Sequence, residues 1–204
     1  MNYTQNDVTT IILAGGLGRR LKGQNKGLLS LAGKTLVEHV IDRLKPQTEH
    51  ILINANQNLQ HYQLTNFSVV QDKFENNQGP LAGILSCREQ IHTSLVLTVP
   101  CDAPLLPMDL LERMLKEYKN KTIEQLCVAH DGTRLQNLFM LFNSNKFNHL
   151  EHFFKQNHRK VSDWIQTQDY TEVDFSDHQA QFINVNTEET LNSLMQKFNS
   201  NEFK

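Results

Sequence analysis

Val8-Thr9-Thr10-Ile11-Ile12-Leu13-Ala14-Gly15-Gly16-Leu17-Gly18-Arg19-Arg20 is the stretch that decides the fold, with Lys26 a short distance beyond it. An apolar run over residues 8–13 reads as a β-strand. It ends in glycines, which let a backbone turn sharply and approach a ligand closely because no Cβ intervenes. Successive N–H groups in such a turn form an anion-binding concavity. Arg19, Arg20 and Lys26 then add the positive charge that a polyphosphate requires. The combination predicts a nucleoside-triphosphate site at the carboxyl end of a first strand.

Working outward, short apolar runs alternate with helical periods. Helices are expected over residues 35–44, 79–90 and 107–118, and strands over 50–54, 68–71 and 94–99. Pro46 discourages continuation of the first helix, and Pro107 suits the first position of the third. This βαβα rhythm predicts a single α/β domain of Rossmann-like, three-layer build, with a mostly parallel sheet and helices on both faces. Beyond it, strands are expected at 125–130 and 138–142 as an antiparallel pair. Helices follow at 146–155 and 161–168, then a strand at 181–185 and a closing helix at 187–198. Trp164 reads as a core or flap anchor. No repeat, low-complexity segment or linker divides the chain.

With 204 residues the chain is long enough to bury a substantial core. A formal net charge of −2 and a pI near 6.5 leave no general basic footprint for nucleic acid. Cys87, Cys101 and Cys127 are widely spaced and odd in number, so neither a disulfide framework nor a zinc site is expected. No apolar run reaches the roughly 20 residues of a membrane span, and no secretory leader is seen. The expected setting is the cytoplasm, away from membranes.

Two familiar glycine motifs fail on detail. A dinucleotide fingerprint needs a third glycine for helix–strand packing, and Leu21 stands in its place. Gly33-Lys34-Thr35 matches the end of a Walker A loop, yet Gly27 lies one residue too far upstream. Gly33–Thr35 reads instead as a turn before a helix.

A third pattern fits. Leu13-Ala14-Gly15-Gly16-x-Gly-x-Arg followed by Lys26-Gly27-Leu28-Leu29 resembles the nucleotidyltransferases that activate sugars and cofactors. Within them it is most similar to the molybdenum cofactor guanylyltransferases. Asn54-Ala55-Asn56, Gly79-Pro80-Leu81-Ala82-Gly83, Pro100-Cys101-Asp102-Ala103-Pro104, Asp174-Phe175-Ser176-Asp177-His178 and Asn184-Val185-Asn186-Thr187 extend that resemblance along most of the chain. It implies transfer of GMP from Mg-GTP to molybdenum-loaded molybdopterin with release of pyrophosphate. Mg²⁺ would be the cofactor, and proteins that insert the finished cofactor would be transient partners. It also implies a nucleotide-binding half over about residues 1–110 and an acceptor-binding half over about 111–204. Cytidylyl or sugar-phosphate transfer, or a non-catalytic carrier role, are the competing readings.

Nucleotidyl transfer is mostly a matter of positioning and charge stabilisation. Arg20 and Lys26 are the candidates to meet the β- and γ-phosphates; the alternative for the Arg19-Arg20 pair is a solvated surface. Asp102, just past a buried strand, is the candidate Mg²⁺ ligand, since Mg²⁺ accepts one or two carboxylates plus phosphate oxygens and water. A turn-capping aspartate is the alternative. The resemblance assigns guanine-nucleotide contacts to Leu13, Ala14, Gly15, Asn54 and Asp72, of which the last two are also candidate turn residues. The helix opening from Gly79 through Gly83 offers N–H groups to an anion, and Asn184 and Asn186 offer amides to a pterin. One departure stands out: Asn25 occupies the place where the resembled family carries an aspartate.

Overall fold

The computed structural model describes residues 3–16, 25–119 and 125–200. Its centre is a seven-stranded sheet built from β1 (Val8–Leu13), β4 (His50–Asn54), β5 (Ser68–Val70), β6 (Leu95–Pro100), β7 (Leu126–His130), β8 (Leu135–Asn143) and β9 (Tyr170–Asp174). The spatial order is β5-β4-β1-β6-β8-β7-β9. The first four strands run parallel, β8 pairs antiparallel with both β6 and β7, and β9 returns parallel to β7. A two-stranded hairpin, β2 (Ser30–Leu31) and β3 (Lys34–Thr35), lies apart from the sheet.

Alternation along the strands divides the core into two layers, because successive side chains leave opposite faces. Ile12, Ile53, Leu97 and Leu141 face helices α1 (Leu36–Leu44) and α4 (Leu110–Lys119). Ile11, Leu13, Val96 and Met140 face α3 (Pro80–Cys87), α5 (Phe147–Lys155) and α6 (Val161–Gln166). Trp164 is wholly buried in this second layer, edge-on to Phe142, so it anchors the core. A third cluster fastens α7 (Glu188–Asn199) to the hairpin through Leu31, Leu36, Val185 and Leu194. The remaining helix, α2 (Leu59–Gln63), follows β4.

The near-Walker stretch is a turn and a cap. Gly33 adopts a positive φ of 85° at the tip of the β2–β3 hairpin. Thr35 caps α1, with its hydroxyl accepting the Glu38 N–H at 3.3 Å and its own N–H donating to the Glu38 carboxylate at 2.6 Å. Those bonds from Thr35 hold the Glu38 carboxyl below its usual range.

Several boundaries differ from expectation. Helix α4 starts at Leu110 rather than Pro107, because buried Gln47 supplies an acceptor to the Leu111 N–H and a donor to the Pro107 carbonyl. Residues 181–185 do not form a strand: a 3-10 segment, Ser176–Phe182, occupies the first part of this stretch. Strand β9 was not expected, since only Val173 of its five residues is buried and an edge strand leaves no apolar run to read.

Candidate active site

The chain lays down β1, β4 and β5 in one direction across the sheet, then returns to add β6 on the other side of β1. Ligands of open α/β sheets bind at such a reversal, outside the carboxyl ends of the strands. Here a cleft of about 460 Å³ opens at that edge. The register aligns its walls: Leu13 pairs with Asn54 on one side and Pro100 on the other. The Ala14 N–H donates to the Asn54 carbonyl at 2.8 Å and the Cys101 N–H to the Leu13 carbonyl at 3.1 Å.

Of the residues expected from sequence, Leu13, Ala14, Gly15, Lys26, Asn54, Asp72, Asp102 and Asn186 line this one cleft. Arg20 lies outside the described residues. Gly83 requires a correction. It is buried within α3, and a Cβ there would come within 2.2 Å of the Asn54 Oδ1, so it makes room for Asn54 and does not line the cleft. Gly79 and Pro80 line the cleft in its place, although Pro80 has no N–H and the Ala82 N–H is turned back to the Gly79 carbonyl at 3.1 Å. Asn184 is also absent from the cleft wall, and its Oδ1 is buried with no hydrogen-bond partner among the described residues.

Lys26 opens a short 3-10 turn, Lys26–Leu28, whose position is set from below. The Tyr62 hydroxyl donates to Asn25 Oδ1 at 2.6 Å, and a Cβ on Gly27 would fall 2.4 Å from the same hydroxyl. Burial pushes the Tyr62 phenol well above its ordinary range, so it remains a donor. Asn25 thus ties the lysine loop to α2. The Lys26 ammonium donates to Asp102 Oδ2 at 3.1 Å and to Asn186 Oδ1, with both ion-pair side chains largely enclosed. Asn186 is brought there by the Val185 N–H, which donates to the Asp102 carbonyl at 2.8 Å. Burial raises the neighbouring Cys101 thiol far above its usual value and keeps it protonated, so it is no nucleophile.

On the opposite wall the Asp72 carboxylate receives the Asn54 side-chain N–H on Oδ1 and the Asn56 side-chain N–H on Oδ2, both at 2.8 Å. The Lys73 N–H donates to the Ser86 hydroxyl at 2.9 Å, which ties the start of the following loop to α3. Gly15 is needed where it stands: a Cβ would lie 2.9 Å from the Asn56 amide nitrogen and 3.2 Å from Asn54 Oδ1. The sequence motif Asn54-Ala55-Asn56 contains Asn56, but only Asn54 and Asp72 were given a role there, although the period of two from Asn54 to Asn56 was a usable signal.

The cleft has the chemistry for one divalent ion. Asp102 presents a carboxylate that already sits against a cation, the Lys26 ammonium, and Mg²⁺ needs little more from protein when phosphates complete its shell. Among the described residues no group of three or more His, Cys, Asp or Glu forms a metal cage.

A three-layer α/β domain in which Gly15, Gly16, Lys26 and Asp102 line one cleft at the reversal point of the sheet has the architecture of a nucleotidyltransferase. A family model described as the MobA-like NTP transferase domain matches residues 10–173. The chain is 41% identical over 180 residues to a molybdenum cofactor guanylyltransferase of Shewanella putrefaciens, covering 88% of this chain and 92% of that one. It is 39% identical to that of Shewanella sediminis over 187 residues, covering 92% and 95%. In fold it matches the crystal structure of molybdopterin-guanine dinucleotide biosynthesis protein A from Archaeoglobus fulgidus, with a TM-score of 0.77, 19% identity, and coverage of 94% and 99%. The chain belongs to the MobA-like NTP transferase family.

Proposed function

We propose that this protein transfers GMP from Mg-GTP to molybdenum-loaded molybdopterin, forming the guanine dinucleotide form of the cofactor and pyrophosphate. The observation that carries the reading is the Lys26–Asp102–Asn186 cluster, which lines one cleft with Leu13, Ala14, Gly15 and Gly16 at the carboxyl ends of β1 and β6. The name shared by relatives near 40% identity supports the same substrates.

In this reading Leu13, Ala14 and Gly15 bring the backbone against the nucleotide, and Lys26 with Arg20 meets the β- and γ-phosphates. Asp102 would hold Mg²⁺, which when bound supplies charge neutralisation at the α-phosphate. The terminal phosphate oxygen of the pterin attacks the α-phosphorus, and the bond to the β-phosphate oxygen breaks as pyrophosphate leaves. The acceptor phosphate is already ionised, so Asp102 serves as ligand and no general base is required. Before substrate arrives Lys26 and Asp102 neutralise one another; a bound triphosphate would draw the lysine to its phosphates and leave the Asp102 carboxylate to hold Mg²⁺. Asn54 and Asp72 face the base. Asn186 links the nucleotide and acceptor sides.

Residues up to about 110 would form the nucleotide-binding half and the rest the acceptor-binding half, with Asn184 on the acceptor side. No helix among the described residues is long and apolar enough to cross a membrane, and we place the reaction in the cytoplasm, with transient handover of product to cofactor-inserting proteins. Incubation with labelled GTP, Mg²⁺ and molybdenum-loaded molybdopterin should yield labelled guanine dinucleotide and pyrophosphate. Equal use of CTP, or no transfer, would overturn the assignment.

A further inference from the structure

The Asp72 carboxylate is held at two points by residues from the neighbouring strand end. Asn54 donates to Oδ1 and Asn56 to Oδ2, while Asn56 also accepts the Asp72 backbone N–H on its own Oδ1 at 2.9 Å. The two bonds between Asn56 and Asp72 close a ring, so neither side chain turns without breaking both. Asn54 is equally constrained. Its amide nitrogen serves the Val70 carbonyl at 3.2 Å as well, and its oxygen occupies the space left by the missing side chains of Gly83 and Gly15.

A carboxylate oxygen has two lone-pair directions, and one on each Asp72 oxygen is occupied by an amide. The other on each oxygen remains, giving a rigid pair of adjacent acceptors on a residue that lines the cleft. The edge that matches two adjacent acceptors presents two adjacent N–H donors, as the N1–H and 2-amino group of guanine do. Adenine and cytosine set a ring-nitrogen lone pair beside a single amino group, so one acceptor would meet a lone pair.

We infer that Asn56, which does not itself line the cleft, is a positioning residue for base selection. By fixing the plane of the Asp72 carboxylate it presents both oxygens to the base at once. This rests on the guanylyl reading above and adds to it the residue that makes one carboxylate discriminate. Without Asn56 the carboxylate swings about its remaining bond to Asn54, and the second acceptor is no longer aligned.

The test is calorimetric binding of GTP, ITP and ATP to the intact protein, with no turnover needed. ITP lacks only the 2-amino group. Wild-type protein should bind GTP about tenfold to a hundredfold more tightly than ITP, the worth of one hydrogen bond to a charged group. Asn56→Ala should bring that ratio close to one while leaving ATP affinity unchanged. The isosteric Asn56→Asp keeps the shape but turns the donor into an acceptor, and should collapse the ratio in the same way should the alanine variant fail to fold. An unchanged GTP/ITP ratio in a folded variant, or equal weakening of all three nucleotides, overturns the inference. Wild-type protein that prefers GTP to ATP but not to ITP overturns the inference alone. Wild-type protein that does not prefer GTP to ATP overturns the guanylyl reading with it.

Discussion

The strand-end cleft and the segment after β9 are built on different principles. In the cleft, the polar groups are already paired with one another: Asp72 with Asn54 and Asn56, and Asp102 with Lys26, which also reaches Asn186. They sit at the ends of parallel strands whose register leaves little freedom. The segment after β9 is irregular instead. Its 3-10 run carries a non-helical break at His178, and the buried side-chain oxygens of Gln181 and Asn184 have no hydrogen-bond partner among the described residues. Phe175 and Phe182 seat this segment in the core, and Arg113 of α4 clasps its outer side, gripping both oxygens of Asp177 at 2.6 and 2.8 Å, bonding Asp109 at 2.6 Å and lying over the Phe175 ring. Asp177 raises the Arg113 guanidinium still further, so the grip persists at any ordinary pH. A preorganised polar site needs no reorganisation when substrate arrives. By this contrast the polar residues of the cleft are set in advance, whereas the segment after β9 is held by two buried rings and one cationic staple.

Mutations can break or sharpen that contrast. The largest effect is expected at Asp102→Asn: turnover should drop by about 10²–10³-fold, as for loss of a group aimed at developing charge, while metal-free GTP affinity changes little. A silent change would favour a non-catalytic carrier. Lys26→Ala comes next, with GTP binding weakened about tenfold to a hundredfold and GMP binding much less. Equal losses would remove the β/γ-phosphate role. Arg113→Ala should lower transfer to the pterin several-fold with GTP affinity intact; a matching loss of GTP affinity would show that the two sides are not separable. Gly83→Ala should have the smallest effect on chemistry but cost about 1–3 kcal/mol by overpacking against Asn54. In a chain of this size that is a fall of about 2–4 °C in melting temperature per kcal/mol, and an unchanged melting temperature would show that Asn54 can move aside.

Where the chain repeats a strong local pattern, sequence reading and structure agree. Strands β1 and β4 and the turn at Gly33–Thr35 that leads into α1 match the expectation within a residue. So does the antiparallel pairing of β7 with β8, although β8 runs from Leu135 to Asn143 rather than over 138–142. Elements whose partners come from far along the chain do not. The start of α4 depends on Gln47, 64 residues away from Leu111, and β9 owes its existence to pairing with β7 rather than to any burial of its own. The candidate site divides in the same way. Gly15, Asp72 and Asp102 reach the cleft as expected because each follows the end of a strand, and a loop at a strand's carboxyl end is where such chemistry collects; Lys26 was picked out by its motif and charge and lines the same cleft. Gly83 was misread because its motif says only that a side chain must be absent, not which neighbour needs the space.

By itself the sequence determined the alternating strands and helices, the glycines that follow β1, and the small set of charged and amide residues that gather in the cleft. Periodicity and turn chemistry act over a few residues and need no partner to be read. Only the tertiary structure decided that Lys26, Asp102 and Asn186 share one contact, that Gly83 serves Asn54, and that Asn56 holds Asp72. These pairings join residues 16 to 160 positions apart, and they follow from strand order and register, which local patterns do not encode.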